Sequence, residues 1–364
     1  MKRFYSSAAA LLVLAMSAGC STDPVDGGAE PNKKPAVRMD GTMWSDITTR
    51  AEFVPGAIDP EDGLPSRQLD VAIVNVNHNT ADPATDQPGV AGWSSQTVEL
   101  SRGFFASRDD DSDGILAPGA TPDNGLIEYV DPTGMYVTTK FYPEIANEHY
   151  FLRVVYPYRS DYNMLEQSDM GAVAVFRDLT GQEDILCSDL GWGSQDQPTV
   201  ETGAQNPGMV MSHKFAQLRF WVVADNMPAR AQFGWIEEVI AREQPNMVQV
   251  DMLDGMASVH PDAVSVDYNS DMAAPIELST TLYDPLLPDQ PQGQYAGSLM
   301  VLPATKYRIG ALTSERNWIG ADYIFANPIE PGKIYDVTLR FMESYRLELA
   351  VTEADEWWMD SIFD

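Results

Sequence analysis

The chain has 364 residues, a formal net charge of −31, 44% hydrophobic residues and 10% aromatics. That length and apolar content suffice for two domains with filled cores. The negative charge argues against nucleic acid, whose phosphates would be repelled, and against docking on anionic lipid through a basic patch.

The first twenty residues form an export signal. Lys2 and Arg3 give a positive start, Ala8 to Met16 form a short apolar run, and small residues lead into Cys20. The run is too short for a stable membrane-spanning helix. A cysteine directly after small residues resembles a bacterial lipoprotein signal, in which the thiol of Cys20 receives lipid and becomes the first residue. Ser17 departs from the leucine usual three places earlier. If Cys20 carries lipid, Cys187 has no intramolecular partner, and its apolar setting (Asp184-Ile185-Leu186-Cys187) suits a buried, inert thiol. His78, His149, His213 and His260 lie far apart, without zinc-like spacing.

From Ser21 to about Met39 the chain is rich in Pro, Gly and Asp, which reads as a tether. The first clear strand covers 69–76, where β-branched residues dominate, and others are expected at 97–100, 126–130, 135–141, 150–156 and 172–176. Short helices are expected, if anywhere, at 163–168 or 229–242. A Gly/Gln/Pro-rich stretch at 193–208 reads as a linker. Beyond it strands are expected at 210–223, 247–252, 263–268, 276–282, 297–302, 307–313, 334–341 and 346–352. Many short strands with turn residues between them favour β-sandwiches over α/β folds. The expected division is a signal peptide at 1–19, a tether and propeptide-like segment at 20–50, and two β domains at 51–207 and 208–364.

In the run from Ser212 to Val222, alternation puts Ala216, Leu218, Phe220 and Val222 on one face and Phe215, Gln217, Arg219 and Trp221 on the other. His213 reads as a histidine bonded within the sheet rather than a ligand or base. This run resembles the His-containing strand that opens the C-terminal domain of fimbrillin-like (Mfa-like) proteins, the subunits of type V pili. Four further segments match in order. Tyr150-Phe151-Leu152-Arg153-Val154-Val155-Tyr156-Pro157-Tyr158 resembles the family's strand ending in Tyr-Pro, and Asp184-Ile185-Leu186-Cys187-Ser188-Asp189 its Asp-Leu-Leu segment. Pro331-Gly332-Lys333-Ile334-Tyr335-Asp336-Val337 resembles its final Pro-Gly-x-x-Tyr strand, and Trp357 or Trp358 its closing tryptophan. The resemblance spans residues 69–358 and is loosest at 77–127 and 227–295.

What the resemblance implies is an all-β fold of two tandem transthyretin-like β-sandwiches, exported as an outer-membrane lipoprotein. Such subunits are cut by an arginine-specific protease and lose a strand. The exposed edge and groove are then filled by a strand of the neighbouring subunit. Head-to-tail repetition gives a fimbrium. The implied partners are other pilus subunits, the maturation protease and the outer membrane, through the lipid on Cys20. Among Arg38, Arg50 and Arg67, the bond between Arg50 and Ala51 suits the cut best. Met43, Trp44 and Ile47 precede it as a removable strand, and small residues surround the bond. At the far end, Leu347, Leu349 and Val351 alternate as a donor strand should, or as the last strand of the second sandwich.

Asp109, Asp111 and Asp113 followed by Gly114 resemble the start of a calcium loop, but Ala120 stands where its bidentate Glu belongs. The turn therefore reads either as a solvated acidic turn or as a structural calcium site, and no other cofactor is expected. Glu237-Glu238 and Asp355-Glu356 suit element ends, and neighbours on a strand point to opposite faces, so neither pair reads as an acid/base dyad. With no nucleophile elbow, phosphate loop or dinucleotide fingerprint, the chain reads as non-enzymatic. The rival reading is a monomeric surface lipoprotein that binds glycan or host protein.

Overall fold

The computed structural model describes residues 39–43, 68–78, 98–107, 133–137, 149–168, 171–194, 209–280, 292–315 and 317–354. They lie in one compact unit, Pro35–Asp364. In chain order the first elements are β1 (Met39–Met43), β2 (Gln68–His78), β3 (Val98–Ser107), β4 (Thr133–Val137), β5 (His149–Tyr156), β6 (Leu165–Ser168), β7 (Gly171–Arg177), β8 (Leu186–Ser188), β9 (Gly191–Ser194) and β10 (Met209–His213). Next come β11 (Ala216–Ala224), α1 (Met227–Phe233), β12 (Trp235–Pro245), β13 (Met247–Asp251), β14 (Ala257–Val259), β15 (Ser265–Asn269) and β16 (Ile276–Glu277). The last are β17 (Gln294–Val301), β18 (Lys306–Thr313), β19 (Trp318–Ile324), β20 (Ile334–Met342) and β21 (Arg346–Glu353). The protein is all-β, as expected, and α1 is the single helix among the described residues.

The first half is organised by one eight-stranded sheet, ordered β2-β3-β4-β1-β10-β8-β5-β9. It closes on itself, because β2 also pairs with β5 from Ala72↔Val155 to His78↔His149. β9 hangs from β5 outside this ring, sharing one side of β5 with β8. β5 is buried on both faces. Phe151 and Val155 join a core cluster that continues into the second half, and Leu152 and Val154 are buried on the other side.

The second half builds a sandwich from two sheets, β17-β11-β20-β21 and β15-β12-β18-β19, with β16 also on β12. Their facing side chains fill one core: Leu218, Phe220 and Val222 from β11, Val337 and Leu339 from β20, and Val239 and Ile309 from the opposite sheet. A fourth sheet, β14-β13-β7-β6, pairs strands from both sides of residue 207. In it Met247↔Arg177 and Asp251↔Val173 bracket the register.

Three local expectations differ from what forms. Residues 163–168 hold no helix. The Asn163 side chain accepts the Leu165 N–H at 3.2 Å and donates to the Leu165 carbonyl at 2.9 Å, a turn that launches β6. The expected single strand at 210–223 is two, β10 and β11, broken at Lys214 and Phe215, whose backbone groups bond to Ile185 and Gly332 instead. Most of 229–242 is strand. α1 starts earlier, capped by Asn226, whose Oδ1 accepts the Ala229 N–H at 2.9 Å, and Pro228 sits in its first turn. It stops at Gly234, whose φ of 66° is strained for any residue with a Cβ. Glu237 and Glu238 lie inside β12, beside a register shift, rather than at an element end. The expected strand at 126–130 lies outside the described residues.

Candidate functional site

The position of β1 is the most consequential feature of the ring. This five-residue strand comes from ahead of Arg50, yet it is interior to the sheet. On one side it runs antiparallel to β4, from Met39↔Tyr136 to Thr42↔Thr133. On the other it runs parallel to β10, from Gly41↔Met209 to Met43↔Met211. β4 is held on its far side by β3, and β10 by β8. Taking β1 away therefore opens the ring at one place and leaves two facing edges with unpaired N–H and C=O groups.

Of the residues singled out in the sequence, Met43 is the last of β1. Cys20, Trp44, Ile47, Arg50, Ala51, Asp109, Asp111 and Asp113 lie outside the described residues. Among the described residues, no group of three or more His, Cys, Asp or Glu side chains is placed to hold a metal ion.

β10 leads from this slot to a buried polar pair. His213, the last residue of β10, places Nδ1 2.7 Å from Asp184 Oδ2, with both side chains buried. Ser212 Oγ donates to the Cys187 carbonyl at 3.2 Å on the neighbouring β8. This histidine is buried and bonded to the segment just before β8. Cys187 is fully buried, and that burial pushes its thiol up from the ordinary value, which makes it a poor nucleophile at neutral pH.

Arg153, on the Phe151 and Val155 face of β5, was not singled out by sequence. Its buried guanidinium donates to the carbonyls of Met252 at 2.9 Å, Leu253 at 2.8 Å and Ser188 at 2.5 Å. One cation thus ties β5 to β8 and to the turn after β13. Gly255, at φ 72°, closes that turn, and a Cβ there would run into Arg153 Nη1. Backbone carbonyls belong to every residue, so no sequence pattern announces such a clamp.

At the other end of the chain, β21 is an edge strand. Among the described residues it pairs antiparallel with β20 alone, from Tyr335↔Glu353 to Met342↔Arg346. Leu347, Leu349 and Val351 are half-buried and pack against the core, while Arg346, Glu348 and Ala350 are exposed. Beneath it β20 is held independently. Asp336 is buried and takes Arg219 Nε at 2.9 Å, Arg219 Nη2 at 2.8 Å and Trp221 Nε1 at 2.9 Å. This places Arg219 and Trp221, read from alternation onto one face, on a single carboxylate of the neighbouring parallel strand.

No family model matches the chain, and no curated protein matches it. Solved structures do. A "putative cell adhesion protein" from Bacteroides uniformis is 14% identical, with 91% of this chain and 99% of that one covered at a TM-score of 0.46. Another "putative cell adhesion protein", from Bacteroides ovatus, is 14% identical over 89% of this chain and 97% of that one, with a TM-score of 0.44. A fimbrial protein from Bacteroides vulgatus is 10% identical over 88% and 99%, with a TM-score of 0.40.

Proposed function

We propose that this chain is a non-enzymatic pilus subunit. On this reading it reaches the cell surface as a lipoprotein on Cys20, is cut between Arg50 and Ala51, and polymerises when a neighbour's strand takes the place of β1. The observation that supports this is the interior place of β1 in a closed ring, just ahead of Arg50 in the chain. A cut there severs β1 from everything that follows. The described ladders to β4 and β10 then hold it, and these short ladders can be replaced by a longer strand.

The donor on this reading is β21. It has one strand partner and its inward side chains are only half-buried, so its release disturbs less packing than that of any interior strand. Leu347, Leu349 and Val351 would then occupy alternate positions in the neighbour's open groove, with main-chain bonds to β4 and β10 supplying the affinity. One such contact repeated head to tail gives an open filament. Partners on this reading are other subunits, the maturation protease and the outer membrane, which holds the precursor until the cut.

The test is polymerisation in vitro. A Cys20→Ser chain is treated with an arginine-specific protease, then followed by size-exclusion chromatography and electron microscopy. Filaments are expected only after cleavage, with an N-terminus at Ala51 and none from the Arg50→Ala chain. Cleaved chains that keep β1 bound and stay monomeric overturn the reading.

A further inference from the structure

The open side of the sandwich carries a groove that pilus assembly does not use. It has a volume of about 490 Å³ and lies between β17 and the segment that enters β16, with Trp235, Asp271, Met272, Glu277, Gln294 and Tyr295 in its lining. That volume falls within the roughly 300–1,000 Å³ of small-molecule sites. Trp235 and Tyr295 are large aromatics left 47% and 42% exposed beside it.

Both residues stand on strands rather than on loops. Trp235 opens β12, opposite Glu277 in register, and its carbonyl accepts the Ser314 N–H at 2.8 Å. Tyr295 lies in β17 against Trp221, with ring centroids 5.5 Å apart at 66°. Trp221 is in turn fixed on Asp336. The Tyr295 ring and the Trp235 backbone are therefore in place before any ligand arrives, which lowers the ordering cost of binding.

The polar groups of the lining define the ligand. Asp271 uses Oδ1 to accept the Ser298 N–H at 2.5 Å, and Glu277 uses Oε1 to accept Arg230 at 2.5 Å, so each keeps its second oxygen for another donor. Gln294 adds an amide whose buried oxygen has no hydrogen-bond partner, so no bond there locks it in place. The described residues of the lining include two carboxylates and no Lys, Arg or His. Anionic ligands are repelled, and donors of hydroxyl hydrogen bonds are favoured.

An extended peptide does not fit by strand addition. The outer ladder groups of β17 are already used: Ser298 bonds to Asp271 through both its N–H and its carbonyl, and the Ala296 carbonyl accepts Ser270 Oγ at 2.9 Å. What remains is recognition through aromatic faces and hydroxyl acceptors. We propose that this groove binds a short segment of a neutral saccharide, with sugar C–H faces on Trp235 and Tyr295 and sugar hydroxyls donating to Asp271 and Glu277. The surface is present in the uncleaved monomer, so this inference stands or falls separately from strand exchange.

The experiment titrates the uncleaved Cys20→Ser chain with a panel of neutral trisaccharides (chitotriose, maltotriose, cellotriose and xylotriose), with sialyllactose as the anionic comparator. Tryptophan fluorescence and ligand-observed NMR report binding. At least one neutral trisaccharide is expected to bind at millimolar Kd or tighter. Trp235→Ala and Tyr295→Ala should each weaken it at least tenfold, with unchanged circular dichroism, and Trp235→Phe should restore much of the loss. No binding across the neutral panel overturns the proposal. So does equal binding of sialyllactose, or binding that both alanine variants retain.

Discussion

The ring of the first half and the sandwich of the second are held closed by different means. At β1, a five-residue strand supplied from ahead of Arg50, the ring's closure passes through the backbone ladders to β4 and β10. The sandwich has a charged lock on the outer face of one sheet, where Arg219 and Trp221 converge on Asp336 between adjacent strands β11 and β20. A ladder of main-chain bonds accepts any strand of suitable register, whereas a buried ion pair accepts one partner. On the proposed assembly, the difference separates an exchangeable region from a permanent one within one chain. If β21 is the donor, as proposed, β20 stays fixed to β11 through Asp336 when it leaves.

The sharpest way to break that distinction is at Asp336. Asp336→Ala leaves Arg219 buried without its counter-charge, which is expected to cost about 3–5 kcal/mol. Urea denaturation followed by tryptophan fluorescence measures it, because Trp221 loses its partner in the same change. Removing residues 39–43 instead should leave the sandwich transition where it was. An equal loss from both changes would mean that the two halves unfold as one and that β1 is no separable strand.

A smaller effect is expected at the seam. Arg153→Met keeps the length and apolar stem of the side chain but removes its donations to Met252, Leu253 and Ser188. Hydrogen bonds from a charged group contribute about 1.5–3 kcal/mol, which sets the expected loss. The turn at 251–256 should open first, so hydrogen exchange at the Leu253 and Gly255 amides, now bonded to Asp251, should quicken before exchange in β11. Unchanged exchange there would show that the clamp is redundant.

The contrast between ring and sandwich was partly legible in the sequence. Runs of β-branched residues located β2, β5, β7, β18 and β20 closely, because buried strands impose that composition. The break between β10 and β11 was not legible. No Gly, Pro, Asn or Asp marks a turn between Met211 and Ala216, and only partners distant in the chain decide where the ladder stops. In 229–242, Ile236, Val239 and Ile240 recur at helical spacing, yet pairing with β15, β16 and β18 makes a strand of them. The better local signals for α1 were Asn226, Pro228 and Gly234, which bracket it. The strand β19 was missed although Trp318, Ile319, Tyr323 and Ile324 favour a strand, because Gly320, Ala321 and Asp322 interrupt them. Arg219 and Trp221 were placed on one face by alternation, but their shared carboxylate lies 115 to 117 positions away. Neither periodicity nor spacing reports such a distance.

Alkali offers the mildest test, because it acts on the sandwich without altering a residue. Burial pushes the phenols of Tyr268 and Tyr307 well above their ordinary value of 10.0. Each hydroxyl donates to a carbonyl, Tyr268 to Pro245 at 2.5 Å and Tyr307 to Leu302 at 2.7 Å. Both groups hold their protons more tightly when folded than when unfolded. Their contribution is therefore complete below about pH 10 and is lost as pH rises through the folded values. Thermal melts should be level from pH 7 to 9 and fall above 10, and Tyr268→Phe should flatten that fall while lowering the plateau slightly. Both tyrosines belong to the sheet of β15 and β18. Alkali should thus loosen the sandwich while the ladders around β1, whose bonds carry no titrating group, persist, the reverse of what cleavage at Arg50 is expected to do.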